Sequence, residues 1–61
     1  MSRRLQVLQL TADGYRRNEI AQTMFVSVET VKDHLREARW ELRAKTTAQA
    51  VAVALREGLI R

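Results

Sequence analysis

Cysteine is absent from the chain, so neither a disulfide nor a thiolate metal site is available to staple it. Proline is absent too, and the two glycines, Gly14 and Gly58, each stand where a helical pattern stops. Phenylalanine, tryptophan and tyrosine occur once each, as Phe25, Trp40 and Tyr15. One histidine, His34, cannot build a metal site by itself. No apolar run approaches the roughly 20 residues that cross a bilayer, and no secretory signal with a long apolar core is visible. There is no linker, low-complexity segment or internal repeat. Also missing are an acid/base pair set in a pocket, a Ser/His or Cys/His arrangement and a glycine-rich phosphate loop. Enzymatic chemistry, a cofactor and a membrane partner are therefore not expected, and a cytoplasmic setting is.

What is present fits one small domain. A chain of 61 residues buries only about 60% of its unfolded surface and is marginally stable. Eleven basic residues face seven acidic ones, for a formal charge of +4 and a pI near 10.7. That balance favours polyanionic partners, although an excess this modest is weak evidence alone.

The most informative stretch runs from Ile20 to Leu42, IAQTMFVSVETVKDHLREARWEL. It reads as a short helix, a tight turn at Phe25-Val26-Ser27 and a long second helix. Ser27 suits an N-cap, since its hydroxyl can accept from a free amide in the next turn. Glu29 places negative charge at the positive end of the helix dipole. Val28, Val31, Leu35, Ala38 and Leu42 form one narrow apolar stripe. At about 100° per residue, Lys32, Arg36, Arg39 and Arg43 line up beside it, and Glu29, Asp33, Glu37 and Glu41 lie farther round. Charges alone describe a solvated helix held by pairs in which Glu37 and Glu41 meet Arg36 or Arg39. The short helix and tight turn in front change that reading, because two helices so joined present the second to a DNA major groove.

Taken in order, the pattern predicts an all-α domain of four helices over residues 3–13, 18–24, 28–44 and 47–57. Leu5, Val7, Leu8, Leu10 and Ala12 give the first helix a broad apolar face, with Leu5, Leu8 and Ala12 most tightly spaced. Gly14 suits the left-handed position that ends it. Tyr15 reads as a half-buried cap on the core rather than a stacking platform for bases. In the second helix Ile20, Ala21 and Met24 face inward, and the small Ala21 permits a close helix crossing. Phe25 and Val26 are expected to plug the space beneath the turn. Thr46 and Gln49 fit a capping box before the fourth helix. That helix is apolar nearly all round, and Leu59 and Ile60 extend it. Such surplus apolar surface suggests self-association, even though alanine tolerates exposure on a helix.

These residues, in this order and spacing, resemble the LuxR/FixJ-type (GerE-type) helix-turn-helix domain. The matching positions are Val7-Leu8, Gly14, Glu19-Ile20-Ala21, Val26-Ser27, Thr30-Val31-Lys32, His34-Leu35, Leu42 and Ala50-Val51. The resemblance covers nearly the whole chain. It implies a transcription regulator that binds double-stranded DNA, reads the major groove with its third helix and dimerises through its fourth. By the family pattern Lys32, Asp33 and Arg36 reach base edges. Thr30, Val31 and His34 lie on phosphates or the groove wall, and Ser27 and the start of helix two approach the backbone. Ala50, Val51, Val53 and Ala54 are the expected dimer residues.

Physical chemistry gives these positions reasons. Lys32 and Arg36 are one turn apart and can enter one groove. Arg36 can donate in a bidentate way to guanine. Asp33 can accept from cytosine, or orient Arg36 or Lys32. Thr30 can donate to a phosphate without reading sequence. His34 borders the apolar stripe, which favours packing over a phosphate contact.

Several positions depart from the family pattern. The chain begins inside the family's opening stretch, with Arg4 where an acidic residue is usual. Thr47 replaces a common arginine. Arg43 replaces the usual glycine after Leu42, which leaves the end of helix three free to run on or bend. The placement of helix four and the dimer geometry depend on that end. Trp40 lies almost opposite the apolar stripe, where it can meet a partner subunit, DNA sugar or helix four. With no receiver, autoinducer-binding or ATPase domain, a free-standing regulator is expected ahead of an output domain cut from a longer protein. The alternative function is a protein-interaction module that binds RNA polymerase, a sigma factor or another regulator through helix 47–57 and Trp40. The acidic stripe motivates that alternative. An architectural or recombination-accessory role on DNA is a third.

Overall fold

The computed structural model describes residues 2–61; Met1, part of the expected 1–61 domain, lies outside the described residues. Four helices follow one another: α1 Arg3–Ala12, α2 Arg17–Met24, α3 Val28–Glu41 and α4 Thr47–Arg56. α1 and α3 each pack against all the other helices, whereas α2 and α4 are brought together only through them. The result measures 27 × 20 × 18 Å, about the length of α3 in each direction.

The starts of the helices are written in local chemistry. The Ser2 hydroxyl accepts from the Leu5 amide, Ser27 from Thr30 at 3.1 Å, and Thr46 from Gln49 at 3.0 Å. Each satisfies one of the free amides that open a helix. α2 begins without a serine or threonine. There Glu19 turns back, and its carboxylate accepts from the Arg16 amide at 2.8 Å. At α4 only half of the expected capping box forms, because Gln49 accepts from the Lys45 amide at 2.7 Å rather than from Thr46.

All four helices end in the same way. In each, one residue takes a left-handed conformation: Gly14 (φ 96°), Phe25 (58°), Arg43 (55°) and Gly58 (71°). The amide after it donates six-to-one across the last turn: Tyr15 to Leu10 (3.0 Å), Val26 to Ala21 (3.0 Å), Ala44 to Arg39 (2.8 Å) and Leu59 to Ala54 (2.9 Å). This double closure is the Schellman motif. It corrects two expectations. α3 stops at Glu41 instead of running to residue 44, because Arg43 adopts the glycine-like conformation itself. Phe25 does not plug the core. The left-handed turn swings its ring outward to 94% exposure, and Val26 alone is partly buried there.

Inside, Val7, Leu8, Ile20, Ala21, Met24, Val31, Leu35, Ala38, Ala50, Ala54 and Ile60 form the core. Alanines at 21, 38, 50 and 54 supply the close approaches between helices. Ala12 is exposed, not part of the α1 face, because Val7 rather than the last turn points inward with Leu8. Ile60 is likewise core rather than surplus surface. It is held there by the chain end: Gln9 accepts from the Arg61 amide at 2.8 Å and donates to its carbonyl at 2.7 Å.

Two outcomes follow. Leu8→Ala opens a cavity in a core with no reserve and is expected to cost about 2–5 kcal/mol, enough to unfold much of the protein in thermal circular dichroism. Arg43→Gly removes left-handed strain of about 1–2 kcal/mol, partly offset by a more flexible unfolded chain, and is expected to raise the melting temperature by a few degrees.

Candidate nucleic-acid interface

The rotation of α3 follows from what it buries. Val31, Leu35 and Ala38 point into the core, and Leu42 packs half-buried against it. Val28, the first member of the expected stripe, is at the rim and exposed. With those residues inward, the spacing of about 100° per residue directs Glu29, Lys32, Asp33, Arg36 and Trp40 outward, and all five are exposed. Trp40, at 83% exposure, is centred on that face two turns beyond Asp33.

The charges pair at three-residue spacing. Glu29 lies 3.6 Å from the Lys32 ammonium, and Arg36 Nη2 donates to Asp33 Oδ1 at 2.7 Å. The basic stripe read from the sequence does not survive whole. The Arg39 guanidinium donates to the Thr47 hydroxyl at 3.1 Å, tying α3 to the start of α4. Arg43 has already left the helix. Lys32 and Arg36 are the two cations that stay on the outward face.

The acidic stripe is also divided. Arg4, from α1, forms ion pairs with Glu37 and Glu41. Hydrogen bonding to Glu41, and then its charge, hold the Arg4 guanidinium above its ordinary pKa. So the position where the family pattern expects an acid carries a base that neutralises two acids on α3. Linear spacing could not reveal this, because the partners are more than thirty residues apart and only the α1–α3 crossing joins them. Arg4, Arg36, Glu37, Trp40 and Glu41 together frame a shallow groove of about 370 Å³.

Each expected contact residue can now be located. Ser27 is exposed at the tip of α3, and its hydroxyl sits 2.9 Å from that of the partly buried Thr30. Lys32, Asp33 and Arg36 are gathered on the open face. Val31 is not available to a duplex: it is wholly buried, which corrects its expected place on the groove wall. His34 is half-buried, with Nδ1 sequestered, lacking a hydrogen-bond partner and 3.7 Å from Glu37. Of the four expected dimer residues, Ala50 and Ala54 are fully buried within the domain and cannot meet a second copy. They face inward because α4 must cover α1 and α3. Val51 and Val53 are half-buried, and Ala48, Ala52 and Leu55 are the apolar residues that α4 leaves exposed.

Among the described residues there is no group of three or more His, Cys, Asp or Glu positioned to hold a metal, and no helix is long and apolar enough to cross a membrane.

Comparison with known proteins agrees with the four-helix fold. The family of bacterial regulatory proteins of the luxR type matches residues 2–54. The chain is 41% identical over 58 residues to the uncharacterised transcriptional regulatory protein YxjL of Bacillus subtilis, covering 95% of this chain and 27% of that protein. It is 40% identical over 58 residues to the oxygen regulatory protein NreC of Staphylococcus carnosus, with the same coverage of each. The Staphylococcus aureus NreC protein matches at 40% over the same span. The chain thus spans about a quarter (27%) of the length of these relatives. It belongs to the luxR family of bacterial transcription regulators and has that family's helix-turn-helix DNA-binding fold.

Proposed function

We propose that this domain binds double-stranded DNA sequence-specifically to regulate transcription, with α3 lying in the major groove. The observation that carries the proposal is the pair of exposed cations, Lys32 and Arg36, one turn apart on the open face beside the buried stripe of Val31, Leu35 and Ala38. A helix so seated offers its N-terminal half to base edges while its other face stays in the core. Lys32 and Arg36 are assigned to base edges, with Asp33 between them on the same exposed face. Ser27, Thr30 and the exposed start of α2 at Arg17 and Asn18 are assigned to phosphates, where hydroxyls, amides and cations position without reading sequence. The exposed edge of His34 is assigned to the groove wall.

Dimerisation is proposed through the outer face of α4, using Ala48, Ala52 and Leu55 with the rims of Val51 and Val53. A symmetric pair of recognition helices would then reach half-sites about 34 Å apart. RNA polymerase or another regulator is a second partner class for the same protein. One observation favours it: Trp40 stands exposed beside Glu37 and Glu41, at the end of α3 least suited to phosphates. No catalytic role is assigned, in keeping with a family of regulators.

Titration against duplex DNA at rising salt tests the central reading. Affinity is expected to fall with a log–log slope near −0.9 per neutralised phosphate, and a flat response would remove the proposal. Arg36→Ala should cost about 1–3 kcal/mol on the preferred site and relax selection at one base pair. The dimer reading is tested by Ala52→Arg, which places a charge on the outer face of α4 without touching the core. Sedimentation should then report a monomer and footprinting a single half-site, whereas an unchanged dimer would exclude this face.

A further inference from the structure

Resting on the duplex-reading proposal, we propose that Asp33 is a positioning residue for Arg36, and that the two act as one reading unit for a single base pair. The sequence leaves Asp33 three uses: to accept from cytosine, to orient Lys32 or to orient Arg36. The geometry separates them. Lys32 is paired with Glu29 at 3.6 Å. Asp33 Oδ1 accepts instead from Arg36 Nη2 at 2.7 Å, a short charge-assisted bond.

Both side chains are more than half exposed, at 56% and 66%, so the pair is no part of the core. An exposed pair of this kind stabilises a fold very little. Its effect is on geometry. Arg36 alone has a long side chain that samples many rotamers above the helix. A carboxylate one turn earlier restricts those rotamers and fixes the plane of the guanidinium. Nη2 carries two hydrogens, and Asp33 takes one. The guanidinium keeps a two-donor edge for an acceptor pair such as O6 and N7 of guanine. The other effect is on charge. Pairing neutralises Arg36 locally, so it is drawn less to any phosphate and more to the one acceptor pattern its fixed edge fits. Asp33 therefore trades nonspecific attraction for discrimination.

Selection from a randomised duplex pool tests this, using the protein and its Asp33→Ala, Asp33→Asn, Arg36→Ala and doubly substituted Asp33→Ala/Arg36→Ala variants, each checked for native helicity. Asp33→Ala is expected to weaken selection by roughly tenfold at the same base pair that Arg36→Ala relaxes, within the range of one bidentate contact. Its binding to unrelated duplex should become tighter. Asp33→Asn keeps an acceptor for Nη2, so it should restore most of the selection while retaining the stronger nonspecific binding. The double variant should select as Arg36→Ala does. Relaxation at a different base pair in Asp33→Ala would show that Asp33 reads a base itself and would overturn the inference. Tighter general binding with unchanged selection would overturn it equally, by leaving only a charge effect. If the unsubstituted protein selects no site at all, the duplex-reading proposal itself is lost, and the inference with it.

Discussion

Three side chains that point away from solvent decide what α3 offers to solvent. Val31, Leu35 and Ala38 are buried against α1, α2 and α4, and burying a valine or leucine contributes about 1.5–3 kcal/mol. Exposed ion pairs are worth about 0–1 kcal/mol each. Burial therefore outweighs the charge pairs and sets the rotation of the helix. Once the rotation is set, Lys32, Asp33 and Arg36 have no other direction to face.

A second constraint is how so short a chain turns. Four helices within the described residues 2–61 leave connections of only a few residues, and proline is not used at any of them. The fold instead closes every helix with one left-handed residue and a six-to-one hydrogen bond. Two of those residues are glycines, which adopt the conformation freely. Phe25 and Arg43 do so at a cost in strain. The Phe25 turn matters most for the proposed interface. It delivers Ser27 directly into the N-cap of α3, so the tip of that helix is ordered by its own hydroxyl and amide.

The charges are then edited by tertiary contacts. Four cations aligned on a helical projection become two, because Arg39 binds Thr47 and Arg43 leaves the helix. Four acids become two local pairs and a clasp to Arg4, with Glu37 and Glu41 compensated from another helix. The outward face is therefore less one-sided than the net charge of +4 implies. That is a surface on which discrimination among sequences can outweigh general attraction to polyanions.

Much of this was legible in the chain because its causes are local. Apolar spacing located all four helices, Gly14 and Gly58 marked two ends, and Ser27 and Thr46 marked two starts, since a cap or a turn depends on neighbours within a few residues. The face shared by Lys32 and Arg36 followed from helical geometry alone. What the tertiary structure decided depends on residues far apart in sequence. It buried Ala50 and Ala54, which had been expected at a partner surface, and drew Ile60 into the core. It sent Phe25 outward and stopped α3 at Glu41 through a left-handed arginine. It also set Arg4 against Glu37 and Glu41. Periodicity can say that an alanine-rich helix has two apolar sides. Only the packing of α4 on α1 and α3 determines which of them is removed from water.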